Sequence, residues 1–146
     1  MNLTIVGTGY VGLVTGACFA EFGYSVTCVD NDIKRLEILK SGKCPFFEPG
    51  MDELLDKHIN KTKLITFEST IKNNLDNTDI IFITVGTPTR RLEDEADLSF
   101  VWQVAEEIAE NIKKYCLVVT KSTVPVGTTR EIKKIISEKV DQKLFD

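Results

Sequence analysis

Short apolar runs alternate along this chain with stretches in which apolar residues recur every three or four positions. The runs are rich in β-branched residues, as strands buried on both faces of a parallel sheet must be. They cover residues 3–6, 25–29, 64–67, 79–85 and 116–120. The stretches between them predict helices at residues 10–22, 32–39, 49–59, 69–75, 98–114 and around 132–136. This order predicts an α/β fold with a doubly wound parallel sheet and right-handed crossovers.

The end of the chain predicts an incomplete sheet. After the last helical stretch, Leu144 and Phe145 are placed to begin another strand, and only Asp146 follows them. The second half of the sheet is therefore expected to lack its last strand. By length, residues 1–146 are expected to form a single domain with a core of its own.

A glycine-rich turn follows the first strand. Gly7, Gly9 and Gly12 have the G-x-G-x-x-G spacing, in which the first glycine permits a tight turn and the second lets the backbone approach a pyrophosphate. The third lets the next helix pack closely, and the N–H groups at the start of that helix would hold the phosphates without a basic side chain. The spacing also occurs by chance in loops, so its interpretation depends on the surrounding sequence.

An acidic residue supports the dinucleotide interpretation. Asp30 ends the second strand eighteen residues after Gly12, where Rossmann-type folds carry the acid that binds the adenosine ribose hydroxyls. Its charge would repel a 2′-phosphate, which favours NAD over NADP. Lys34 and Arg35 lie close behind and leave this preference open, because both would also suit a solvated helix face.

Two later strands end in polar loops. Ligands of an open parallel sheet bind beyond the carboxyl ends of its strands, and residues 86–89 and 121–129 are expected there. The first loop is equally typical of a plain turn, because glycine and proline mark turns. Residues 90–97 are charged and lack periodicity, which predicts an exposed, mobile loop.

Composition argues against several classes of protein. A formal net charge of -4 and a pI near 5.1 disfavour nucleic acid or an anionic membrane as the main partner. No apolar run is long enough for a transmembrane helix. Met1 leads into the first strand without a signal peptide, which favours the cytoplasm.

The cysteines and the single histidine predict no metal site. Cys18, Cys28 and Cys116 fall within apolar patterns and are expected to be reduced core thiols, whereas Cys44 lies in a loop and is the one expected to be exposed. His58 stands among polar residues and is expected in solvent. None of these residues has the spacing of a metal-ligand set.

Six motifs resemble those of one family when they are taken together. They are residues 7–12 (GTGYVG), 29–30 (VD), 48–50 (EPG), 85–89 (VGTPT), 96–99 (ADLS) and 121–127 (KSTVPVG). In this order they make the chain similar to the N-terminal domain of the UDP-glucose/GDP-mannose dehydrogenase family, above all to its bacterial UDP-glucose branch.

The resemblance implies an NAD site. Members of the family oxidise the sugar C6 alcohol to a carboxylate with two NAD molecules, through an aldehyde and a cysteine thioester. Asp30 would bind the ribose, and Arg35 would lie near the adenosine end. Thr123 would lie beside the nicotinamide and help to hold a catalytic water, since a hydroxyl is too weak a base to act alone at neutral pH. The full set of cofactor residues implied by the motifs is Gly7, Gly9, Tyr10, Val11, Gly12, Asp30, Arg35, Thr87 and Thr123.

The resemblance also predicts what these residues lack. In the family a catalytic glutamate, the nucleophilic cysteine with its lysine and asparagine partners, the UDP site and the dimer-forming helices follow the region matched here. None of the four cysteines matches the nucleophile. Covalent catalysis needs an activated thiolate in a complete site. The chain alone is therefore expected to be inactive, and to bind UDP-glucose only if the missing part is supplied.

Two alternatives remain open. The chain could come from a sibling that oxidises GDP-mannose or UDP-N-acetyl-mannosamine, although Arg90 and Arg91 followed by residues 96–99 look more like the UDP-glucose branch. It could also be a non-catalytic dinucleotide-binding module or an inactive remnant. An uncovered sheet edge would then seek a second copy of the chain or a companion chain.

Overall fold

Five parallel strands form the centre of the molecule. The computed structural model describes residues 1–89 and 96–146. Its strands are β1 (Asn2–Val6), β2 (Ser25–Val29), β3 (Ile65–Glu68), β4 (Ile80–Ile83) and β5 (Leu117–Thr120). Their order across the sheet is β3-β2-β1-β4-β5, so the chain begins in the middle and winds outward to one side and then to the other. This is the doubly wound, Rossmann-type order, and the predicted fold class is confirmed.

Helices cover both faces of the sheet. They are α1 (Tyr10–Glu21), α2 (Ile33–Lys40), α3 (Met51–Asp56), α4 (Ser99–Asn111) and α5 (Thr128–Ser137), and α3 continues into a π-helical turn at Lys57–Lys61. Successive strand residues point to opposite faces. Ile5 therefore packs in the core beneath α1 to α3, while Val6 packs in the core beneath α4 and α5. Burial on both faces explains why the central strand β1 is buried at every residue from Leu3 to Val6, whereas the edge strand β3 alternates buried and exposed residues.

The predicted inner face of α4 is confirmed. Its members are all buried, and they recur at intervals of one, three or four residues along one side of the helical stretch. They are Val101, Val104, Ala105, Ile108 and Ile112. This stripe fixes the rotation of α4 about its axis, and so decides which of its other residues face the carboxyl edge of the sheet.

The predicted helix at residues 69–75 is wrong. The segment forms turns, followed only by a short 3₁₀ helix at Leu75–Asn77. The Thr70 hydroxyl accepts a backbone N–H from two residues further on (3.2 Å), and the Asn74 side chain donates to the Thr70 carbonyl (3.3 Å). Local bonds of this kind compete with helical ones, and two turns are too short to offset the cost of helix nucleation.

The end of the chain pairs with the outer edge of β5, as expected for residues that begin another strand. Phe145 forms a parallel bridge with Cys116. The Cys116 N–H donates to the Leu144 carbonyl (2.8 Å). The Val118 N–H donates to the Asp146 carbonyl (2.7 Å). These bonds place the last residues in the position of a sixth strand.

His58 is buried, and the prediction of a solvated position is wrong. Its side chain is 2% exposed, with Nε2 2.8 Å from Glu21 Oε2 and Nδ1 3.0 Å from Thr62 Oγ1. These two partners satisfy both ring nitrogens, which makes burial of the polar ring tolerable. The sequence did contain a signal, because His58 follows the buried residues Met51 and Leu55 at helical spacing.

The cysteines divide differently from the prediction. Cys28 and Cys116 are buried as expected, and burial raises the pKa of Cys28 to about 12 and that of Cys116 to about 11. Thiols with such pKa values remain protonated at neutral pH. Cys18 is exposed, contrary to the prediction, because α1 buries its other small residues on the opposite face. Cys44 is half-buried.

Candidate dinucleotide-binding site

The carboxyl ends of the central strands form a level edge. In the pairing register Val6 lies opposite both Val29 and Ile83, and Ile83 lies opposite Thr120. The glycine turn, Asp30 and the loops after β4 and β5 each begin one residue later, so they emerge side by side. This is the edge at which ligands bind in doubly wound folds.

A cavity of about 440 Å³ opens at this edge. Its volume is that of a small-molecule or cofactor site. Four residues predicted from the sequence to contact a cofactor line it: Gly7, Gly9, Asp30 and Arg35. Four residues of α4 also line it: Phe100, Gln103, Val104 and Glu107.

The three glycines of the turn have different steric environments. Gly7 has a φ of +99°, and a Cβ there would lie 2.8 Å from the Thr84 carbonyl oxygen. A Cβ on Gly12 would lie 1.9 Å from the Gly7 carbonyl oxygen. These two glycines let α1 begin tightly against the sheet. Gly9 has no atom within 4 Å of its hypothetical Cβ, so the space above its backbone is open to a ligand.

The N-terminus of α1 has no side-chain cap. Gly9 is its N-cap residue, and the Leu13 N–H donates to the Gly9 carbonyl (2.9 Å). The N–H groups of residues 10–12 precede that bond and have no acceptor within the helix. Together with the positive end of the helix dipole, they suit a bound anion.

Thr84 ties the glycine turn to the strand beside it. Its buried hydroxyl lies 2.8 Å from the carbonyl oxygens of both Val6 and Gly7. The Thr84 N–H also donates to the Val6 carbonyl (2.8 Å). This supporting role was not predicted from the sequence, where Thr84 is only one more β-branched residue of an apolar run.

The Asp30 carboxylate accepts from four donors. Oδ2 accepts from the Thr8 N–H (2.7 Å), the Thr8 hydroxyl (2.6 Å) and Arg35 Nη1 (3.0 Å). Oδ1 accepts from the Asp32 N–H (2.9 Å). Burial by itself raises the pKa of Asp30, but these hydrogen bonds and the Arg35 charge outweigh it and hold the pKa below its usual value. Asp30 is therefore ionised at neutral pH.

Arg35 is placed beside Asp30 by the start of α2. Asp32 is the N-cap residue of α2, and its side chain accepts from the Arg35 N–H (3.1 Å). The guanidinium then reaches Asp30 through Nη1 (3.0 Å) and Asp32 through Nη2 (3.7 Å). Arg35 is half-buried in this ion pair, while its neighbour Lys34 is exposed. The alternative of a solvated face thus suits Lys34 and not Arg35.

The side chains of Tyr10 and Val11 are not part of the cavity wall. Tyr10 is 56% exposed and Val11 49% exposed. The Tyr10 ring stacks on Phe46 with centroids 4.8 Å apart, and its hydroxyl donates to Glu48. Contacts from Tyr10 and Val11 to a bound dinucleotide would therefore use their backbone N–H groups.

The loops after β4 and β5 are joined to each other. The Thr87 hydroxyl donates to the Thr123 carbonyl (2.9 Å), and the Ser122 hydroxyl donates to the Val85 carbonyl (2.7 Å). Thr87 and Thr123 do not line the 440 Å³ cavity, and Thr123 is exposed. The structure thus brings the two threonines together in a second group, beside the cavity that Asp30 and the glycines share.

The α4 wall of the cavity was not predicted from the sequence. Phe100, Gln103 and Glu107 recur at helical spacing, directly beside the buried stripe of the same helix. The sequence shows that such a flanking stripe exists. It does not show that the stripe faces the glycine turn, because that depends on how α4 crosses the sheet.

The loop at 90–97, membrane spans and metal sites were also considered in the sequence analysis. Arg90, Arg91 and most of the predicted loop at 90–97 lie outside the described residues. Among residues 1–89 and 96–146, no helix is long and apolar enough to cross a bilayer. The same ranges contain no group of three or more His, Cys, Asp and Glu residues arranged to hold a metal ion.

Comparisons with known proteins show the family of this chain. Residues 1–146 match the NAD binding domain of the UDP-glucose/GDP-mannose dehydrogenase family. The UDP-glucose 6-dehydrogenase of Rhizobium meliloti is 49% identical over 94% of this chain, and a UDP-glucose 6-dehydrogenase of Bacillus subtilis is 45% identical over 94%. The chain spans 31% of the length of each of these two curated relatives.

Solved structures of related enzymes share the fold. A GDP-mannose dehydrogenase from Pseudomonas aeruginosa, solved as a ternary complex, superposes with a TM-score of 0.94 at 30% identity, covering 100% of this chain and 35% of that protein. A UDP-glucose dehydrogenase from Pyrobaculum islandicum superposes with a TM-score of 0.90 at 32% identity, covering 99% and 34%. The chain therefore belongs to the UDP-glucose/GDP-mannose dehydrogenase family, as an NAD-binding domain of that family, and the cofactor of this chain is NAD.

Proposed function

We propose that residues 1–146 form the NAD site of a UDP-glucose 6-dehydrogenase, which converts UDP-glucose, two NAD and water to UDP-glucuronate and two NADH. One observation carries the proposal: the ionised carboxylate of Asp30 and the open backbone of Gly9 share one cavity. A carboxylate suits the ribose hydroxyls, and an uncapped helix N-terminus suits the pyrophosphate.

Different residues bind the different parts of NAD in this proposal. The backbone of residues 7–12, which includes Gly12, binds the pyrophosphate, and Arg35 lies near the adenosine end. Asp30 Oδ1 accepts from only one described donor, so it has capacity for a ribose hydroxyl. Thr87 contacts the nicotinamide half, and Thr123 orients a water there. The hydrogen bond that joins their two loops supports this pairing.

The substrate proposed for the whole enzyme is UDP-glucose. The sequence relatives that share 49% and 45% identity are UDP-glucose 6-dehydrogenases, whereas the GDP-mannose dehydrogenase shares 30%. The alternative is a sibling that oxidises GDP-mannose or UDP-N-acetyl-mannosamine, because solved dehydrogenases named for these two substrates share the fold. Residues 1–146 do not supply the complete active site. The groups they lack would come from the rest of the enzyme, from a second copy of it or from a companion chain.

Residues 1–146 by themselves are expected to form no NADH from NAD and UDP-glucose. The reaction passes through a thioester in this family, and none of the described cysteines lines the cavity. Absorbance at the NADH band measures the reaction directly, with full-length UDP-glucose 6-dehydrogenase of Rhizobium meliloti as the positive control. Formation of NADH that depends on UDP-glucose would contradict the proposal that the nucleophile lies elsewhere.

The substitution Asp30→Asn tests the ribose assignment. We expect it to weaken NAD binding by about tenfold and to weaken NADP binding much less, because the lost charge is the one that repels a 2′-phosphate. Asparagine is preferable to alanine here, since its side-chain oxygen can still accept the Thr8 N–H that holds the glycine turn. Isothermal titration calorimetry with NAD and with NADP measures both affinities.

Glu37→Gln is the matched control for that experiment. Glu37 carries the same charge at an exposed position of α2 and does not line the cavity, so the ratio of NAD to NADP affinity should stay at the wild-type value. Equal losses for both cofactors in Asp30→Asn would argue against the ribose contact. A folded wild-type chain that binds no NAD at all would overturn the proposed function itself.

A further inference from the structure

We infer that Glu107, held in place by Gln103, recognises the 6-amino group of the adenine base, so that this site prefers adenine dinucleotides to their hypoxanthine analogues. The inference rests on the proposed function and deepens it, because it concerns the base of the same cofactor. It assigns a role to the wall of the cavity that α4 provides.

The position of the base follows from the position of the ribose. Asp30 binds the adenosine ribose in the proposed complex, and the base is attached to that ribose. The glycine turn occupies one side of Asp30, and the pyrophosphate takes that side. On the other side of Asp30 the cavity is lined by Ser69, which follows β3, and by residues of α4. In the proposed complex the base lies in this part of the cavity, against α4.

The surfaces on that side suit both the apolar faces and the polar edge of a purine base. Val29, Val85 and Val104 line the cavity with apolar atoms, and the aromatic ring of Phe100 is 44% exposed. Such surfaces suit the flat faces of a base. Gln103 and Glu107 add polar groups to the same lining, which suit the polar edge of a base.

The polar pair offers mainly acceptors. Gln103 Nε2 donates to Glu107 Oε1 (3.0 Å), one helical turn further along α4. That bond orients the carboxylate and leaves Glu107 Oε2 free to accept from a ligand. The 6-amino group of adenine is a donor and pairs with a carboxylate oxygen. The 6-oxo group of hypoxanthine is an acceptor, and beside the same oxygen it would be repelled.

Binding of NAD and of nicotinamide hypoxanthine dinucleotide provides the test. The two ligands differ at the purine ring and share every other group. We expect the wild-type chain to bind NAD about tenfold more tightly, since leaving a polar group of a binding site unpaired has an effect of this size or larger. In Glu107→Gln the new amide can donate to the 6-oxo group. The two dinucleotides should then bind with about equal affinity, or the hypoxanthine analogue should bind more tightly.

Glu110→Gln is the matched control. It removes the same charge from the same helix, at a position that does not line the cavity and whose carboxylate approaches Lys139 instead. Its preference for adenine should equal that of the wild type. Thermal unfolding of both variants separates a change in recognition from a change in folding.

The outcomes distinguish this inference from the function on which it rests. If the wild type binds both dinucleotides equally, or if Glu107→Gln keeps the full preference, Glu107 does not recognise the base, while NAD binding itself stands. If the wild type binds neither dinucleotide, the proposed function fails and the inference fails with it. A tenfold preference that is lost only in Glu107→Gln supports both.

Discussion

Gly12→Ala is expected to lower the free energy of unfolding by about 3 kcal/mol, a large effect for one methyl group. The new Cβ would lie 1.9 Å from the Gly7 carbonyl oxygen and 2.5 Å from Thr84 Oγ1. The first contact is with backbone, so it cannot be relieved by a side-chain rotation, and α1 would have to move away from the sheet. Alanine in place of glycine within a helix gains about 1 kcal/mol of helix propensity. The steric cost is larger and decides the sign.

Chemical denaturation monitored by circular dichroism measures this change. The same substitution at Gly16 gives a graded comparison, because its Cβ would lie 2.9 Å from the Cys28 sulfur and touches side chains rather than backbone. We expect Gly16→Ala to be the milder of the two. A Gly12→Ala protein as stable as the wild type would mean that α1 does not begin so close to the turn.

The part of the fold that sequence predicts well is the part fixed by local pattern. Apolar runs predict the strands best at the centre of the sheet, where β1 is buried at every residue from Leu3 to Val6 because helices cover both faces. The turn between β1 and α1 is also fixed by nearby residues in the sequence. Gly7 has a positive φ, and the position of Gly12 has no room for a side chain. Asp30 follows from the same logic, because a strand of known length must end beside that turn.

The features that sequence predicts poorly depend on contacts between distant segments. His58 stands among polar neighbours, and its ring is buried where Nε2 lies 2.8 Å from a carboxylate oxygen of Glu21 on another helix. Residues 69–75 have the spacing of a helix, but the bonds that Thr70 and Asn74 make locally prevent one. Glu107 enters the cavity wall through the packing of α4, which no neighbouring residue in the sequence reveals.

Gly9→Ala is expected to weaken NAD binding strongly without destabilising the protein. Gly9 has an ordinary negative φ of -69°, and its Cβ would meet no atom within 4 Å. The free energy of unfolding should therefore change by no more than about 0.5 kcal/mol. If the pyrophosphate lies against this backbone, the same methyl group occupies the place of the ligand. We then expect the affinity for NAD to fall by about tenfold or more, which is roughly 1.4 kcal/mol of binding free energy.

The choice of ligand locates the effect of Gly9→Ala within the cofactor. ADP-ribose retains the pyrophosphate and should lose as much affinity as NAD, whereas adenosine lacks it and should bind both proteins equally. Calorimetry measures the first two ligands, and NMR shift titration measures the weaker adenosine. Unchanged NAD affinity in a folded Gly9→Ala protein would place the pyrophosphate away from the start of α1. Gly12→Ala and Gly9→Ala thus separate two roles of one glycine motif, close packing of α1 and binding of the pyrophosphate. The first substitution clashes with the protein backbone, whereas the second fills only the space left for the cofactor.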